Sequence, residues 1–214
     1  MVVLHKLVSD SLKGYIWAQN FGMTTQWLLE EVATITERNL DLIKKKFTSL
    51  SENQLNWRPN AQTWSCLEIF AHLNGYASFY HAAFNKKIEI TRFRTPSAQF
   101  SSSPLGRSAW QSMKLGKEKN IKRRFNAPKD YNPTVTPSLV NETTLLDFQN
   151  HQKELLNILE KSVAVNLRKV KVPISISKIV RLRLGDAFLF VAYHNERHMQ
   201  QALNLLKHPQ FPKK

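Results

Sequence analysis

Ala192-Tyr-His-Asn-Glu-Arg-His-Met-Gln-Gln201 places two histidines, His194 and His198, four residues apart. Around them Ala187, Val191, His194, His198, Gln201 and Leu205 recur at helical spacing. That pattern predicts a helix over 184–207, stopped by Pro209. On a helix, residues four apart share a face, with Cβ atoms about 5–6 Å apart. Two imidazoles one turn apart can grip one metal ion from the same side. The fold then turns on what brings a further ligand to them.

Working outward, three more helices are expected. Trp27, Leu28, Val32, Ile35, Leu42, Ile43 and Phe47 mark a first helix over 25–49. Asn56-Trp-Arg-Pro-Asn60 is a turn, because Pro59 disfavours helix at Arg58. The second helix has the best-signed start. Ser65 caps it, Glu68 completes a capping box, and Trp64 and Ile69 stand where a hydrophobic staple needs them. Ile69, His72, Tyr76, Phe79 and Ala83 then form an inward stripe running to about Lys86. Leu145, Phe148, Leu155, Leu156, Leu159 and Val163 mark the third helix, over 141–164. Between helices two and three, residues 87–140 hold five of the nine prolines and no lasting apolar period. They read as a long crossover with a short helix near 109–115. Ile174, Ile176 and Ile179 hint at an extended piece, but no convincing sheet is expected.

The expectation is an all-α chain: a four-helix bundle in up-down-down-up order, with its long basic crossover between helices two and three. Residues 1–22 read as an N-terminal extension and 23–214 as the bundle domain. In this order helices two and four are antiparallel. His72 then lies about seven residues from one end, and His194 and His198 about thirteen and nine from the matching end. Their heights agree to about one turn, so three inward histidines converge. His72, His194 and His198 would hold a divalent transition metal, with water in the open positions of a catalytic site. Imidazole suits zinc, nickel, iron and copper; zinc and nickel are favoured here.

Composition narrows the classes. Hydrophobic content of 42% and charged content of 22% are globular values. Cys66 is the only cysteine, which excludes an internal disulfide and a cysteine-based zinc site and suits a reducing cytoplasm. No apolar run is long enough to span a membrane. The net charge of +15 is concentrated: residues 86–140 hold twelve Lys/Arg against three acids, and 161–183 hold seven against none.

Other residues compete for roles. Glu68, one turn before His72, could move a proton, but its capping role already explains it. Gln201, one turn beyond His198, could bond a bound water or be a polar spot in the core. Tyr76 and Tyr193 read as packing residues with satisfied hydroxyls. His151 borders the apolar face of the third helix; it is either a fourth ligand or an ordinary half-buried histidine. Arg197 is expected in a surface or interface ion pair, and Cys66 as a small buried apolar residue.

Leu55-Asn-Trp-Arg-Pro-Asn60, Thr63-Trp-Ser65, Ala71-His-Leu73, Leu184-Gly-Asp186 and His194-Asn-Glu-Arg-His198-Met-Gln-Gln201 together resemble the DinB/YfiT-like superfamily. The similarity runs from about Thr24 to Leu206. It implies an up-down-down-up bundle, often dimeric, with a metal on three histidines that map onto His72, His194 and His198. Characterised relatives include S-transferases and isomerases that use a low-molecular-weight thiol, bacillithiol or mycothiol. Others are described as metal-dependent hydrolases.

Three functions follow. The first is a metal-dependent enzyme, a small-molecule hydrolase or a thiol-dependent S-transferase, in which the ion lowers the pKa of water or a thiol. The basic crossover would draw in an anionic substrate. The second is a nucleic-acid or phosphate-binding module, using Lys117, Lys119, Lys122, Arg123, Arg124 and Lys129 beside Phe125 and Tyr131. The third is a non-catalytic metal-binding bundle, which needs a fourth protein ligand such as His151.

Overall fold

The computed structural model describes residues 23–116 and 126–213. The expected N-terminal extension, and the basic run from Lys117 to Phe125, lie outside the described residues. Among the described residues the chain is mainly helical, with four long helices. These are α1 (Thr25–Lys46), α3 (Cys66–Ile90), α5 (Thr144–Ser162) and α6 (Leu184–Leu206), with short helices α2 (Glu52–Asn56) and α4 (Pro104–Met113) between them. Each long helix packs against two others: α1 against α5 and α6, and α3 against the same two.

Local chemistry sets the starts. Thr24 accepts a hydrogen bond from the Trp27 N–H at 3.0 Å and caps α1. Lys44, Lys45 and Lys46 close that helix, where cations meet the negative end of its dipole. At α3 the reciprocal capping box is formed. The Glu68 N–H donates to Ser65 Oγ at 3.2 Å, and the Ser65 N–H donates to Glu68 Oε2 at 2.8 Å. α3 runs one turn past its expected end, because Ile88 continues the buried stripe of Phe84.

The contacts fix how the helices run. Between α3 and α6, Tyr76 meets His194, Tyr80 meets Phe190 and Phe84 meets Phe188, so rising numbers pair with falling ones. Between α3 and α5, Asn74 bonds Thr144 and Asn85 bonds Glu154, so numbers rise together. Between α1 and α6, Glu31 accepts from Tyr193 and Arg38 pairs with Glu196, again rising together.

Two expectations need correction. Strands do form, as two small antiparallel pairs: β1 (Met23–Thr24) with β2 (Gln99–Phe100), and β3 (Lys171–Ile174) with β4 (Ser177–Arg183). The β3–β4 hairpin has a weak sequence pattern because it buries only a few side chains, Val172 and Leu182 among them. Ile176 and Ile179 are exposed. Pro173 is tolerated in β3 because a hairpin edge does not need its missing N–H. The short crossover helix is α4, starting five residues earlier than expected. Ser103 caps it and Pro104 suits its first turn.

The core has two apolar parts with a polar layer between them. One part holds Ile43, Phe47, Phe70, Phe148 and Met199; the other holds Leu28, Val32, Phe84, Leu155 and Phe188. On α1 the change falls at Thr36 and Asn39, on α5 at Gln152, and on α6 at His194, Asn195, Arg197 and His198. Of these, all but His198 are buried. His72 enters this layer from α3.

Candidate metal centre

The capping box at Ser65 fixes where α3 begins, and so the height of His72. One turn of α6 presents His194 and His198 to it. One ring nitrogen of each histidine lies within 4.8 Å of the others, and His72 and His194 are buried. The Nε2 atoms of His72 and His194 stand 3.3 Å apart. Ligand nitrogens of a tetrahedral zinc site with bonds of about 2.0–2.1 Å stand about 3.3 Å apart, so the spacing fits such an ion.

The second nitrogens decide which atoms face inward. His72 Nδ1 lies 2.6 Å from the carbonyl oxygen of Tyr131. A carbonyl only accepts, so Nδ1 carries the proton and Nε2 keeps its lone pair. His198 Nδ1 likewise donates to Gln201 Oε1 at 2.9 Å. An outer acceptor that fixes the tautomer is the usual support of a metal-binding imidazole. Burial holds the imidazoles neutral. His72 is lowered to about 4, while His194 and His198 fall well below the ordinary range, chiefly by burial, with the crowding of the three imidazoles and the nearby Arg197 adding to it. Neutral imidazole is the ligating form.

Aromatic rings wall the group. Trp64 covers His72 and His198, with ring centres 5.0 and 6.2 Å away. Tyr76 lies against His72 and His194, and Phe190 stacks on His194. Among the described residues this group consists of histidines alone. An ion here would therefore carry uncompensated positive charge.

The other expected residues fall into place around it. Glu68 is engaged by its cap and by an ion pair with Arg58. Gln201 orients His198. The Tyr193 hydroxyl donates to Glu31 at 2.8 Å, and Tyr76 packs against Tyr80 and Tyr131. Burial pushes the Cys66 thiol up to about 12, which keeps it protonated and unreactive. Arg197 is not a surface residue: it is buried in the polar layer. His151 is not a fourth ligand. It lies between Ser78 and His81, away from the group. Sequence reasoning missed the Tyr131 carbonyl, which no residue pattern announces, and Phe190, which read as ordinary core.

His81 was also missed. It is buried, and among the described residues neither ring nitrogen has a hydrogen-bond partner. Burial holds it down to about 4, with His151 adding to the effect and Glu154 opposing it. The unfolded chain, with His81 near 6.5, takes the proton first. This contribution to stability is thus full above about pH 6.5 and is lost as the pH falls toward 4. Metal-free protein should lose on the order of 3 kcal/mol over that range through His81. Urea unfolding at stepped pH checks this: His81→Leu should flatten the slope, and an unchanged slope in that variant would sink the assignment.

The sequence model of the DinB superfamily matches residues 35–202. This chain belongs to the DinB superfamily. No curated protein and no solved structure shows significant similarity to it. The matched DinB span contains all three histidines, the α3 capping box, Tyr131 and Gln201.

Proposed function

We propose that this DinB-superfamily chain is a metal-dependent enzyme on an up-down-down-up four-helix bundle formed by residues 23–214. The bundle order is supported by the side-chain pairs that run oppositely between α3 and α6 and together between α3 and α5. His72, His194 and His198 hold a divalent transition metal, zinc or nickel. The observation that carries this reading is three imidazole nitrogens within 4.8 Å of one another, two of whose rings have their Nδ1–H engaged by an outer acceptor. A divalent ion bound there supplies Lewis acidity, lowering the pKa of a water or thiol that shares it.

The chain's own residues define the rest. Trp64, Tyr76 and Phe190 exclude bulk water and offer flat apolar walls to a small substrate. An ion held by neutral ligands alone keeps its positive charge and favours an anionic substrate or cosubstrate. The reaction is hydrolysis of a small molecule or S-transfer from a low-molecular-weight thiol. The reading includes a homodimer, which the resemblance to the superfamily implies, and a reducing cytoplasm, in keeping with the free thiol of Cys66.

Metal analysis of the purified chain tests the reading, followed by assays with the bound metal present and stripped. One equivalent of transition metal is expected. So is metal-dependent turnover of either a simple ester or an electrophile in the presence of a small thiol. Protein that takes up no transition metal overturns it.

A further inference from the structure

Two 3₁₀ turns near the end of the long crossover pack on α3, and the first of them, Lys129–Tyr131, lies beside His72. There the Tyr131 carbonyl accepts a hydrogen bond from the His72 Nδ1–H, and the Tyr131 ring lies on Tyr76 with centres 4.5 Å apart. The ring can sit there because residue 75 has no side chain. A Cβ on Gly75 would stand 2.9 Å from Tyr131 Cδ1, closer than real Cβ atoms come. The site thus rests on a backbone oxygen whose position depends on one ring and one glycine.

We propose that Tyr131 is a positioning residue for the metal centre: seated over Gly75, it holds its carbonyl on His72 and so aims the His72 Nε2 lone pair. This rests on the metal-binding reading above and adds a role for the crossover in setting metal affinity. Its ring matters although the hydrogen bond to the histidine is made by its backbone. Removing the ring by Tyr131→Ala, or displacing it by Gly75→Ala, frees His72 to rotate or change tautomer. Loss of an outer partner of a ligating histidine typically lowers metal affinity by about 10–100-fold.

The experiment measures zinc affinity by competition with a chromophoric chelator, and the histidine tautomers of metal-free protein by ¹⁵N NMR. The unmodified chain should show His72 protonated on Nδ1. Tyr131→Ala and Gly75→Ala should each weaken zinc binding by about 10–100-fold. In the double variant, Gly75→Ala should cost nothing further, because the ring it strikes is gone. A packing defect unrelated to His72 would add instead. If the unmodified chain binds zinc and both variants match it within about twofold, this proposal fails and the metal reading stands. His72 protonated on Nε2 in the unmodified chain also overturns it. If the unmodified chain binds no transition metal, both readings fall.

Discussion

His194→Ala is expected to abolish stoichiometric metal binding. The three rings are mutual neighbours, with centres 5.1 Å apart for His72 and His194, 4.6 Å for His194 and His198 and 4.7 Å for His72 and His198, so each is needed to close the group. Without it two imidazoles remain, on different helices, with no carboxylate in the group to replace the third. The loss should exceed about 100-fold, the upper range for losing only an outer partner. Zinc titration with a competing chelator measures it directly. Stability gives a second readout. Zinc at about 100 times its dissociation constant should stabilise the unmodified chain by about 2.7 kcal/mol. The variant should gain almost nothing, while its metal-free form, relieved of a desolvated imidazole, stays folded. A His194→Ala protein that keeps one equivalent at unchanged affinity would falsify the three-histidine site.

Gly106→Ala should be the most damaging of the small substitutions. On an open helix face this change stabilises by about 1 kcal/mol, since alanine is the better helix former. Here the sign reverses. A Cβ at residue 106 would stand 2.0 Å from Asp186 Oδ2, 2.2 Å from its Cγ and 2.6 Å from its Cβ. The last of these cannot move without the α6 backbone. Separating α4 from α6 would also break the bonds that the Ser103 N–H and hydroxyl donate to Asp186 at 3.0 and 3.1 Å. Overpacking and lost charged hydrogen bonds together suggest a cost of about 3 kcal/mol or more. That is a large share of the roughly 5–15 kcal/mol that holds a domain together. Urea unfolding measures it, and a variant as stable as the parent would show that α4 adjusts freely.

The long helices and the three histidines were legible because both are periodic. Ser65 with Glu68 fixed a helix start, and apolar spacing carried the phase to His72; the same held for α6. What escaped has no period. The Tyr131 contact is made by a carbonyl that every residue possesses, so identity at position 131 gave no sign of it. Arg197 was misplaced because a cation read as solvated by default, whereas the layer around it is polar throughout. The β3–β4 hairpin hides its pattern by burying so little. His151 looked like a ligand candidate on its own helix, but its partner across the interface is His81, which only packing could reveal.

The polar layer between the two apolar parts of the core has an evolutionary consequence. Asn39, Gln152, Asn195, His72 and His194 fill positions where leucine or methionine would pack and need no hydrogen bonds. Variants enriched by heat challenge alone would therefore drift toward an unbroken apolar centre, and the histidines would be among the first residues lost. A lineage that keeps them is being selected on something other than thermal endurance.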